Sequence, residues 1–106
     1  MSDEIEAFEK FESELEQHPS VAHLKRDGGE ERLVAGETNS VTSYYAVHLT
    51  EDAQKSISTE QAEGVPGDPD SETLRGVQNF IELSLGGSPS EYVDGTLYAS
   101  FTYHRR

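Results

Sequence analysis

The chain has no cysteine and no tryptophan, and among its 106 residues only Lys10, Lys25 and Lys55 are lysines. Without thiols, neither disulfides nor thiolate metal sites can stabilise the fold, which must rest on packing. Long apolar runs are also missing. No stretch approaches the roughly 18 residues of a membrane helix, and "MSDEIEAFEK" lacks the basic and apolar segments of a signal peptide. These absences lead us to expect a soluble, cytoplasmic chain with no membrane partner. Apolar residues make up only 33% of the chain, close to compositions at which burial no longer offsets conformational entropy. Stability is therefore expected to be modest, or borrowed from an assembly. A length of 106 residues encloses one core, so residues 1–106 read as a single domain.

Basic residues number 8 against 21 acidic ones, a formal net charge of -13. Self-repulsion on this scale opposes compaction unless salt screens it; the Debye length is about 3 Å at 1 M. Adaptation of an ordinary protein to a high-salt cytoplasm accounts for such a composition. The alternative is an acidic surface aimed at a basic protein, an inhibitor or nucleic-acid mimic. Direct nucleic-acid binding is disfavoured, because phosphates are repelled everywhere except near Arg105 and Arg106.

Among what is present, the N-terminal periodicity is clearest. Ile5, Phe8, Phe11 and Leu15 recur at three- and four-residue spacing, with glutamates over much of the remaining surface, which predicts an amphipathic helix over about residues 4–17. Pro19 ends it. The period then changes to two. "SVAHLKR" reads as a short strand, "DGG" as a tight turn and "ERLVAGE" as its hairpin partner. "SVTSYYAVHLT" is a strand with Val41, Tyr45, Val47 and Leu49 on one face and Thr42, Tyr44, Ala46 and His48 on the other.

Residues 50–72 are polar, contain Pro66, Gly67 and Pro69, and read as a long loop with a turn or two of helix after Thr50. In "TLRGVQNFIELSLGG", alternation sets Val77, Ile81, Leu83 and Leu85 against Gln78, Phe80, Glu82 and Ser84, predicting a strand. The closing strand "TLYASFTYH" places Leu97, Ala99, Phe101 and Tyr103 inward and Thr96, Tyr98, Ser100, Thr102 and His104 outward. Between them "SPSEYVDG" reads as a capped helix start or as a tight turn at Asp94-Gly95, the turn being preferred. The expected architecture is α+β: an N-terminal amphipathic helix packed on a mainly antiparallel β-sheet of four to six strands.

Motifs that carry chemistry are scarce. His18 and His23 lie five apart across Pro19, unlike a helical ligand pair, and no HExxH occurs. "GDPDSE" alternates Asp68, Asp70 and Glu72 like the start of a calcium loop but lacks the glycine and terminal glutamate at the required offsets. The glycines of "GGEERLVAG" and "LGGSPS" lack the phosphate-loop lysine and the dinucleotide spacing. No serine sits in a G-x-S-x-G elbow. The expectation is a non-enzymatic protein with no cofactor and no metal.

What remains is the uncharged outer face of the last strand. Charge depletion in an acidic chain is what an interface looks like, and aromatic residues carry much interface energy. Tyr44, Phe80, Tyr98 and Thr102 are the candidate contact residues, with Arg105 and Arg106 meeting acids of a neighbouring copy. The alternatives are that Tyr44, Phe80 and Tyr98 lie beneath a helix or second sheet, and that the arginines are a solvated terminus.

An N-terminal helix, the strand "YYAVHLT", a long acidic loop, the strand "NFIELSL" and the closing strand "TLYASFTY" resemble the layout of small α/β ring proteins at the neck and tail of tailed viruses, tail terminators being the nearest case. The resemblance implies an oligomeric virion component with protein partners, copies of itself or other assembly subunits. It carries over no functional residue.

Overall fold

A computed structural model describes residues 3–64 and 70–104, with the backbone alone for residues 34, 37 and 38. Helix α1 spans Asp3–Glu16, with acids Asp3, Glu4 and Glu6 in its first turn, where the helix dipole favours them. Its apolar stripe is shorter than the spacing predicts: Phe8, Phe11 and Leu15 are buried, whereas Ile5 is exposed. The chain leaves the helix through a turn in which the His18 amide donates to the Leu15 carbonyl.

Strands β1 (Val21–Val34) and β2 (Glu37–Leu49) form one long antiparallel hairpin. This corrects the expectation of a reversal at "DGG". Gly28 has a positive φ of 111°, but it falls where the register shifts between Arg26 and Gly29, a bulge that bends β1 without ending it. The reversal lies at Ala35-Gly36, both with positive φ (54° and 83°), the conformation that a two-residue hairpin loop requires.

Residues 50–72, expected as a loop, contain helix α2 over Glu51–Glu63. The Thr50 hydroxyl accepts from the Ala53 amide at 3.1 Å and caps it. Only Ala53 and Ile57 of this helix are buried, so its apolar face is a single i,i+4 pair, too small to register as a period. The expected strand over residues 77–85 is also helical: α3 (Glu72–Asn79) runs into a π-helical turn at Phe80–Ser84. Val77 and Ile81 fit both periods, being two alternations apart in a strand and one turn apart in a helix. Leu83, which only the strand would bury, is 78% exposed. The Ser71 hydroxyl caps α3 by accepting from the Leu74 amide.

Strands β3 (Ser88–Val93) and β4 (Thr96–His104) close the chain through the Asp94-Gly95 turn, at φ 47° and 85°, the preferred reading of that segment. The sheet is four-stranded and antiparallel, in the order β1-β2-β4-β3. The fold is thus α+β, with α1 packed on the sheet as the sequence predicts.

One core joins the helices to one face of the sheet. Phe11, Leu15, Ile57, Val77 and Ile81 pack with Tyr45, Val47, Leu49, Leu97 and Ala99. Phe11 stacks on Phe101 at 4.7 Å between centroids, and Phe8 meets Phe101 edge-on at 5.4 Å. Gly87 permits the close approach of β3: a Cβ there would lie 2.8 Å from Ile81 and 2.9 Å from Phe11. At the margin of this layer the Tyr45 hydroxyl donates to Glu12 at 2.9 Å, and Arg26 reaches Glu12 at 2.5 Å with its guanidinium over the Phe8 ring. Burial first, and then the bond to Glu12, push the Tyr45 hydroxyl up to about 12.

Candidate functional site

The helices cover one side of the sheet; the other presents side chains of β2 and β4 from directly paired residues. These pairs are Ser40 with His104, Thr42 with Thr102, Tyr44 with Ser100, Ala46 with Tyr98, and His48 with Thr96. None of the ten carries a formal charge in a chain of net charge -13. The property follows from strict alternation: each strand places its large apolar residues beneath the helices and its hydroxyls opposite. The Thr42 and Thr102 hydroxyls bond to each other at 2.7 Å, and the Ser90 hydroxyl donates to the Tyr98 carbonyl at 3.1 Å. The two tyrosines are the exposed large hydrophobic side chains among the ten, Tyr44 at 40% and Tyr98 at 37%.

Charge enters from β1. The Tyr44 hydroxyl donates to Glu30 and is raised above its ordinary value by that bond. Two shallow concavities follow the same face. One of about 190 Å³ lies between Tyr44 and Tyr98, with Ser88, Ser90 and Ser100 in its lining. The other, about 580 Å³, lies towards the hairpin tip between Arg32, Leu33, Thr42, Thr102 and His104. Both are open troughs, and the charges in their linings, Asp27 in the first and Glu30, Glu31 and Arg32 in the second, all come from β1. Among the described residues, no three histidines, aspartates or glutamates come together as a metal site.

The candidate contact residues divide accordingly. Tyr44, Tyr98 and Thr102 share the open face. Phe80 does not: it belongs to the helical layer, half-buried, edge-on to His18 at 5.0 Å, so its expected place on an outward strand face is corrected. Arg105 and Arg106 lie outside the described residues. Sequence reasoning missed one pair, His23 and His48, whose rings stack at 4.3 Å across β1 and β2. Their separation along the chain hides them, and only the strand register reveals the contact.

Compared with known proteins, the chain matches no family model, no curated protein and no solved structure.

Proposed function

We propose that the chain is a structural subunit that associates with copies of itself through the open face of its sheet, the two sheets meeting about a twofold axis. The observation that carries this reading is the uncharged set of ten paired residues on β2 and β4 in so acidic a chain. Two copies brought together elsewhere would oppose carboxylates, whereas a neutral face of hydroxyls and tyrosines meets itself without like-charge repulsion. A basic partner would be drawn to the acidic helices instead. The two neutral strands, about 4.8 Å apart and about 30 Å long, give a central patch of roughly 290 Å² before side-chain relief, which the flanking strands β1 and β3 would extend towards the about 800 Å² per partner of an ordinary interface.

The virion-ring reading rests on the resemblance, and two of its five elements, the acidic loop and the strand at "NFIELSL", are largely helical. The wider assignment, a self-associating structural subunit, does not depend on them. Sedimentation velocity between 0.1 and 1 M KCl tests it. Association should tighten with salt, as the Debye length falls from about 10 to about 3 Å and the net charges cease to repel. A strict monomer at every concentration and salt would refute the proposal.

A further inference from the structure

We propose that His23 and His48 form a binding site for a divalent first-row transition cation of the Zn²⁺ class, at the β1 edge of the open face. The site is built by an irregularity in β1. Val21 pairs with Leu49, but the next pair is His23 with His48, so Ala22 is an extra residue on β1. Without that bulge His48 would face Ala22, and His23 would point to the core side opposite Val47. Re-aiming a side chain in this way is a recurrent use of bulges. Leu24 then returns to its place opposite Val47, so the core is preserved while two imidazoles are brought together.

The ring planes lie 23° apart with centroids at 4.3 Å. Two imidazoles on one tetrahedral zinc aim their in-plane lone pairs at a common point, with the nitrogens about 3.3 Å apart at about 2.05 Å from the metal, so the stacked pair must open by rotation of one ring about its side-chain bonds. His23 is exposed and free to make that movement. His48 is held in place: its Nδ1 lies 3.1 Å from the Thr96 hydroxyl. If Nδ1–H donates there, Nε2 carries the lone pair a metal needs, the way metal-binding histidines are commonly oriented by a second partner. Lys25, two residues along β1 and exposed, is the nearby like charge on this face; the net charge of -13 opposes it by raising the local concentration of cations. Two protein ligands leave the remaining positions to water or to an added donor.

The test is titration of the full chain, without a histidine tag, with Zn²⁺ in the presence of about 10 mM Mg²⁺, a hard cation that occupies carboxylates and leaves imidazoles free. One Zn²⁺ per chain should bind, with the imidazole NMR signals of His23 and His48 shifting and those of His18 and His104 staying. His23→Gln and His48→Gln should each weaken binding at least about tenfold while circular dichroism stays unchanged, and Thr96→Val should weaken it less, with rescue by Thr96→Ser. No saturable binding under Mg²⁺, or binding unaltered in either glutamine variant, would overturn the proposal. Both readouts concern the monomer, so they are independent of whether the open face self-associates.

Discussion

The two faces of this sheet are made from the same strands and have opposite chemistry. On the covered face Tyr45, Val47, Leu97 and Ala99 are at most 4% exposed, and three aromatic rings of α1 and β4 lock the helix down. On the open face their immediate chain neighbours, Tyr44, Thr96, Tyr98 and Ser100, carry hydroxyls, with no formal charge among them. A solvated face in a protein of net charge -13 would be expected to share that charge, as α1 and α2 do. The difference teaches that the acidity is distributed by element: it solvates the helical layer and spares the central strands.

The comparison breaks most severely at the covered face. Leu97→Ala should cost about 3 kcal/mol, because Leu97 is fully buried between α-layer and sheet and the cavity cannot collapse easily. Urea unfolding at fixed high salt measures it. Gly87→Ala should cost about 2 kcal/mol by the same measurement, since its Cβ would press on Ile81 and Phe11.

A smaller effect, about 1 kcal/mol near neutral pH, is expected for Tyr45→Phe, which removes the bond to Glu12. That variant also carries a pH signature. The folded-state value of Tyr45 is raised to about 12, above the ordinary tyrosine value near 10, so its contribution is complete below about 10 and fades as pH rises through about 12. Stability curves of wild type and Tyr45→Phe should converge over that window; parallel curves would show that the hydroxyl is not held as described.

Glu60 joins α2 to α3, accepting from the Ser71 hydroxyl and from the amide and hydroxyl of Thr73, and the Ser71 bond above all lowers it below the usual glutamate range. Its contribution is present above the ordinary glutamate value and lost as pH falls through the lowered one. Glu60→Gln should therefore speed hydrogen exchange at residues 70–75 near neutral pH, with the difference from wild type shrinking in acid.

Much of this division was legible in the sequence. Alternation in "SVTSYYAVHLT" and "TLYASFTYH" assigned both faces of β2 and β4, and the stripe of Phe8, Phe11 and Leu15 gave α1. Helix α2 was hidden because Ala53 and Ile57 are its only buried contacts, and α3 because Val77 and Ile81 satisfy two periods at once. The hairpin turn was missed for a conformational reason: Ala35 adopts a positive φ that sequence rules reserve for glycine and asparagine, while Gly28 and Gly29 suggested a reversal they do not make. Of the candidate contacts, Tyr44, Tyr98 and Thr102 lay on correctly assigned strands, and Phe80 on the misassigned one. The His23–His48 pair depends on a bulge, which alternation cannot foresee.

The smallest effect on stability should come from the open face. Tyr98→Glu is expected to change the monomer's stability by no more than about 0.5 kcal/mol while abolishing self-association. A loss of several kcal/mol in the monomer would mean that this face is part of the core.

The central claim is that copies bury the Tyr44 and Tyr98 face, and tyrosine nitration as a function of protein concentration at 1 M KCl addresses it directly. Tyr44 and Tyr98 should become protected as concentration rises, and Tyr92 and Tyr103, on the covered side, should not change. Unchanged reactivity of Tyr44 and Tyr98 across the whole concentration range would contradict the account.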